Sequence, residues 1–301
     1  MITTYSVLNL ATQKLDRLKG NIFDTVDLAK PTSADAAINL TKVVSKLSPM
    51  MGNLIEFNIC EYLNTIPEFE SLGHWKRQDP GFPDTIFESR LVSPTPGIEI
   101  KAWFPLSTEI TARFKDSQDH FQEDQTNVAL VAWLPQFLIF GKPQIIDVSV
   151  MSAKSVAAAR DAHYSNPPDY LIVEPGDTSD RTLNLQQTNT NGYKFQGNPL
   201  EFIEAQNIYR HWCRQNDMNA YSTDMAYQLM VQELMSKFKY RLDTNFAKMD
   251  RIDHPQIEEF KTKVLNSIFH GRSIYSWSRL LSRGSVDEIK QAISSTFSIN
   301  Y

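Results

Sequence analysis

Three apolar, β-branched runs limit what this chain can fold into. They are "GIEIKAWF" from Gly97, "NVALVAWLP" from Asn127 and "FLIFGKPQIIDVSVM" from Phe137. Each carries valine or isoleucine among other apolar residues and is bounded by turn residues. That is the pattern of strands buried within a sheet, not of an amphipathic helix. "DTIFESRLV" from Asp84 and "DYLIVEP" from Asp169 read as further strands. "SPTPG" joins the first of these to Gly97 as a turn. "SAKSVAAARDAHY" from Ser152 is alanine-rich and reads as a crossover helix. A mixed α/β (α+β) core with a central sheet flanked by helices follows.

Helices bracket that core. "SADAAINLTKVVSKL" repeats Ala37, Leu40, Val43, Val44 and Leu47 at helical intervals, with Ser33 or Asp35 as its cap. "MGNLIEFNICEYLNTI" follows Pro49 as a second helix. Residues 177–198 are polar, with Asn191-Gly192 as a turn signal. From Pro199 the pattern is helical again to the C-terminus. The reading divides the chain into a core over 1–198, including the N-terminal helices and the polar loop, and a helical region over 199–301 packed on it.

Composition excludes several functions. The net charge of −5 argues against a nonspecific polyanion binder, although a local basic surface still suffices for nucleic acid. The 42% hydrophobic content suffices for a core, yet no uninterrupted apolar run has membrane-spanning length. The N-terminus lacks the basic start and apolar block of a secretory signal. Cys60 and Cys213 make no metal-type spacing, so a reducing cytoplasm is the expected home. The six histidines form no HExxH, and neither a GxSxG nor a glycine-rich phosphate loop is present, so ATP use is not expected.

The chemistry concentrates between Pro83 and Trp103. Alternation on a strand puts Glu99 and Lys101 on one side and Ile98, Ile100 and Ala102 on the other. If the flanking strands pair through "SPTPG", Asp84 comes near the Glu99/Lys101 face. Two carboxylates suit a hard divalent cation such as Mg²⁺, which keeps several waters. The amine stabilises developing charge or orients a water. A Glu-x-Lys on a strand is also, more simply, an ion pair on a wet face; the apolar neighbours favour a buried strand instead, where an unpaired charge is costly.

Pro83-Asp84, fourteen intervening residues and Glu99-Ile100-Lys101 resemble the motif of the PD-(D/E)XK nuclease superfamily. The resemblance is tight over about 20 residues. It implies a restriction-endonuclease-like core with Asp84, Glu99 and Lys101 on adjacent strands. It also implies a glutamate from the preceding helix, for which Glu56 is preferred to Glu61. Asp84, Glu99 and Glu56 would then be metal ligands and Lys101 the catalytic amine. The implied activity is that of a type II restriction endonuclease: Mg²⁺-dependent hydrolysis of double-stranded DNA, by a homodimer. The alternatives are a nuclease of repair or recombination, and a non-catalytic DNA-binding protein.

Residues expected to meet DNA lie after the motif and in the polar loop. They are Thr108, Thr111, Arg113 and Lys115, and then Arg181, Gln186, Asn189, Asn191 and Lys194. "FHGRSIYSWSRLLSRGS" mixes arginines with Tyr275 and Trp277. It reads first as structure or a dimer interface, and second as a phosphate contact.

Overall fold

The computed structural model describes residues 2–78, 81–106, 124–165, 193–195, 197–217, 224–238, 240–242 and 253–300. These fall into two compact units. The larger runs to Ala158 and resumes at Asp253; the smaller takes the chain between.

The larger unit begins with α1 (Thr4–Leu15), whose N-terminus is closed by a reciprocal capping box between Thr3 and Ser6. Val7, Leu8, Ala11 and Leu15 form its buried stripe. Next comes α2 (Ala34–Val44). Of the two candidate caps, Ser33 takes the role, accepting the Ala36 N–H at 3.2 Å, and Asp35 sits in the first turn. Then follow α3 (Ser48–Asn64), with Pro49 in its first turn, and the single turn α4 (Pro67–Glu70).

Five strands make the sheet: β1 (His74–Arg77), β2 (Thr85–Glu88), β3 (Gly97–Trp103), β4 (Thr126–Pro135) and β5 (Pro143–Ser152). Their spatial order is β1-β2-β3-β4-β5. β3 and β4 are parallel, and the other pairs are antiparallel. Val128 to Leu134 of β4 are all buried, as the continuous apolar run "VALVAWL" requires of a central strand. A parallel pair needs a crossover; here the chain passes through residues 107–123, which lie outside the described residues. β1 is a strand that apolar patterning does not mark, because "HWKR" places only Trp75 in the core.

The open edge of β5 is half covered by residues 20–23. Gly20 N–H donates to the Ile145 carbonyl at 2.8 Å, Ile145 N–H to Asn21 at 2.8 Å, and Phe23 N–H to Pro143 at 2.9 Å. Pairing of this kind blunts an exposed strand edge. α5 (Ala153–Ser165) leaves the end of β5, where the alanine-rich segment predicted a helix.

The smaller unit contains β6 (Tyr193–Phe195), α6 (Pro199–Gln215), α7 (Met225–Lys237) and β7 (Tyr240–Leu242), with β6 and β7 antiparallel. Its own core gathers Phe195, Ala205, Tyr227, Met230, Val231, Leu234 and Phe238.

The chain then re-enters the larger unit as α8 (Pro255–Asn266), α9 (Ile274–Arg283) and α10 (Val286–Phe297). Phe260 of α8 packs on Trp103 with ring centroids 5.9 Å apart, and Lys263 pairs with buried Asp147 of β5 at 2.8 Å. α10 pairs with α2 through Lys290 and Asp35 at 2.7 Å. The compact units therefore do not divide at 198/199. Residues 253–300 fold with the sheet, and the intervening segment has a separate core. The strand expected from "DYLIVEP" falls outside the described residues.

Candidate catalytic site

The site is built where β2 meets β3. Thr85 pairs with Ile98 and Ile86 with Gly97, so Asp84 stands next in register, opposite Glu99. The two acids are locked reciprocally through backbone amides. Asp84 N–H donates to Glu99 Oε2 at 3.1 Å, and Ile100 N–H donates to Asp84 Oδ2 at 2.6 Å. Asp84 Oδ1 has no hydrogen-bond partner among the described residues. Lys101 Nζ contacts the other oxygen of Glu99, as a charge-assisted hydrogen bond.

Several neighbours hold this geometry. Gln78 bonds both residues of the Pro83-Asp84 pair, with its side-chain amide donating to the Pro83 carbonyl and its backbone N–H to the Asp84 carbonyl, each at 2.8 Å. Gly97 lets the Pro83 ring lie against β3; a Cβ there would stand 2.3 Å from Pro83 Cγ. Asn64, at the end of α3, donates to the Trp75 carbonyl and accepts the Trp75 N–H, both at 2.8 Å. That clamp fixes α3 on β1 and brings Glu56 toward the acids.

Glu56 approaches Arg77 of β1, at 3.6 Å, and lies in the electrostatic field of Asp84, Glu99 and Lys101. Desolvation by burial is the main reason that its carboxyl is pushed up to about 7, and Asp84 adds to the rise. Lys101 and Arg77 pull the other way and do not prevail. An ion pair with Arg77 alone argues for an ordinary carboxylate; the loss of hydration outweighs it at this distance. Glu99 is 6% exposed, and burial pushes its carboxyl up as well, with Lys101 opposing. Glu61, the other helix candidate, does not contribute to the shift at Glu56.

Three carboxylates (Glu56, Asp84, Glu99) thus share one locality with two cations (Arg77, Lys101), and the excess negative charge is relieved by a proton on Glu56 near neutrality. Charge and donor chemistry fit a hard divalent cation held by Asp84 and Glu99. They do not fit a three-carboxylate cage: among the described residues no group of three His, Cys, Asp or Glu side chains is gathered to hold a metal ion. Mg²⁺ needs only one or two carboxylates and keeps its remaining waters.

Arg77 is a site residue that sequence reasoning missed. Its only sequence signal is alternation in a four-residue edge strand. Thr108, Thr111, Arg113, Lys115, Arg181, Gln186, Asn189 and Asn191 lie outside the described residues. Lys194 falls in β6, within the smaller unit.

No family model matches the chain, and no curated protein or solved structure matches it. No helix among the described residues is long and apolar enough to cross a membrane.

Proposed function

We propose that this chain is a Mg²⁺-dependent endodeoxyribonuclease of the PD-(D/E)XK type, cutting double-stranded DNA in the manner of type II restriction enzymes. The supporting observation is the reciprocal lock of Asp84 and Glu99, with Lys101 on the same carboxylate. The mixed sheet, with the acids on adjacent antiparallel strands, agrees with what the motif implies.

Asp84 and Glu99 would hold the cation, which supplies charge neutralisation at the scissile phosphate and a more acidic water. Lys101 has its amine beside Glu99 and places positive charge where the phosphorane-like transition state gains negative charge. Glu56, with a carboxyl balanced near neutrality beside the two acids, is suited to accept a proton from the attacking water. Arg77 holds Glu56 toward the acids. A homodimer would present two such centres to two strands, and the cytoplasm is the compartment that two distant free cysteines favour.

A second reading has one observation behind it. The Lys101–Glu99 contact satisfies both groups without a ligand, as an ion pair in a DNA-binding protein with no catalysis would. Incubating supercoiled plasmid with the protein, with Mg²⁺ or with EDTA, separates the two. Mg²⁺-dependent linear fragments support the nuclease, and a gel shift without cutting supports the binder. Discrete fragments with a common end sequence favour restriction. Structure-dependent nicking favours repair or recombination.

A further inference from the structure

Away from the acids, α9 carries a surface that the proposed chemistry does not use. Ile274 and Trp277 anchor the helix; Trp277 is fully buried, and its Nε1–H donates to the Phe269 carbonyl at 2.7 Å. Tyr275, Ser276, Arg279, Ser282 and Arg283 are exposed. Their spacing of i, i+1, i+4, i+7 and i+8 puts them on one helix face. Arg272, just before the helix, is exposed too and lies 5.2 Å from the Trp277 ring centroid. Arg279 lies 5.9 Å from that of Tyr275.

The helix contains no acidic residue. None of Arg272, Arg279 and Arg283 forms an ion pair with a described residue. Many other cations of the larger unit are matched: Lys14 with Glu68, Lys76 with Glu88, Lys142 with Asp24, Lys263 with Asp147, Lys290 with Asp35. The nearest acids in sequence open α10. Glu288 lines a groove with Arg272, but its carboxylate is turned into its own cap, accepting the Ser285 N–H at 2.7 Å. In a chain of net charge −5, three arginines without an ion-pair partner among the described residues, with serine and tyrosine hydroxyls between them, form a face for a polyanion.

Its position selects which polyanion. Ser278 donates to the Leu106 carbonyl at 3.3 Å, so α9 docks on the chain just past β3. Leu106 is five residues beyond Lys101, at most about 17 Å along an extended strand. That span lies within the width of one duplex. We infer that the exposed face of α9 binds the sugar-phosphate backbone of duplex DNA, with Arg279 and Arg283 on successive phosphates. The inference rests on the nuclease reading and adds to it a binding surface outside the catalytic acids. Arginine serves this role through a flat, multiply donating cation.

The test uses the full chain and a 30-base-pair duplex labelled with fluorescein, read by anisotropy in EDTA from 50 to 200 mM salt, beside plasmid cutting in Mg²⁺. The double variant Arg279→Gln/Arg283→Gln is expected to bind about tenfold more weakly, with the slope of log K against log salt reduced by about 1.8, which is two phosphate contacts. Arg279→Lys/Arg283→Lys should recover most of that slope, which a purely structural arginine would not allow. Lys42→Gln/Lys46→Gln removes two exposed charges from the same unit elsewhere and should leave the slope unchanged. Equal slopes for the parent and the Arg279/Arg283 glutamine variant overturn the inference, whether or not the parent cuts. A parent that binds but never cuts overturns the nuclease reading, and the slopes still judge α9. A parent that binds no duplex overturns both.

Discussion

Asp84 and Glu99 hold one another through the backbone: Asp84 N–H bonds Glu99 Oε2, and the amide following Glu99 bonds Asp84 Oδ2. Each acid is thereby fixed by main chain, so neutral isosteres should keep the fold while removing charge. Asp84→Asn and Glu99→Gln are expected to lose Mg²⁺-dependent cutting by a factor of 10³ or so, the scale of a lost transition-state charge contact. Circular dichroism and cooperative melting should stay near parental, and collapse of the melt would assign the acids a structural task instead.

Gly97 is the site's steric hinge, because a Cβ there would meet the Pro83 ring at 2.3 Å. Gly97→Ala should cost about 1–3 kcal/mol of stability, the usual penalty for overpacking. It should also cut activity more than stability alone explains, since Pro83 carries Asp84 with it. Urea unfolding and plasmid cutting on the same preparation measure the two effects.

Glu56 gives a pH signature. Its folded carboxyl sits at about 7 against an ordinary 4.5. Between those values the folded state keeps a proton that the unfolded chain has lost. Stability from this group is therefore present below about 4.5 and lost as pH rises through 7, by up to about 3 kcal/mol. Glu56→Gln carries no such penalty. In EDTA it should melt higher than the parent at pH 8, with the gap closing by pH 5. A constant gap across that range would mean that Glu56 is not desolvated.

Ser155 and His254 stand at the two crossings between the units, and their side chains meet at 3.0 Å (Oγ to Nε2). The smaller unit therefore leaves and returns at one place, the geometry of an insertion. Joining Ala158 to Asp253 through a linker of about six Gly/Ser residues should leave the larger unit folded, as a single cooperative melt with retained β-sheet signal. Aggregation of that variant, with the intact chain soluble, would contradict two independent cores.

The centre of the sheet was legible because β4 is apolar on both faces, as "VALVAWL" shows. The Asp84–Glu99 convergence followed from a turn of fixed length between two strands. β1 was hidden because an edge strand needs only one buried residue, and with it Arg77, whose meeting with Glu56 depends on α3 docking through Asn64. The division of the molecule was also hidden: α8 to α10 read like α6 and α7, and only Phe260 on Trp103 and Lys263 on Asp147 return them to the sheet.

The central claim is a cation-binding centre at Asp84 and Glu99, and the direct measurement is isothermal titration of Mg²⁺ into the DNA-free protein, beside Asp84→Asn. One site of roughly millimolar affinity in the parent is expected. At ten times that Kd it would add about 1.4 kcal/mol to stability, and both effects should disappear in the variant. Equal Mg²⁺ heats and equal melting shifts for the two proteins would contradict the account.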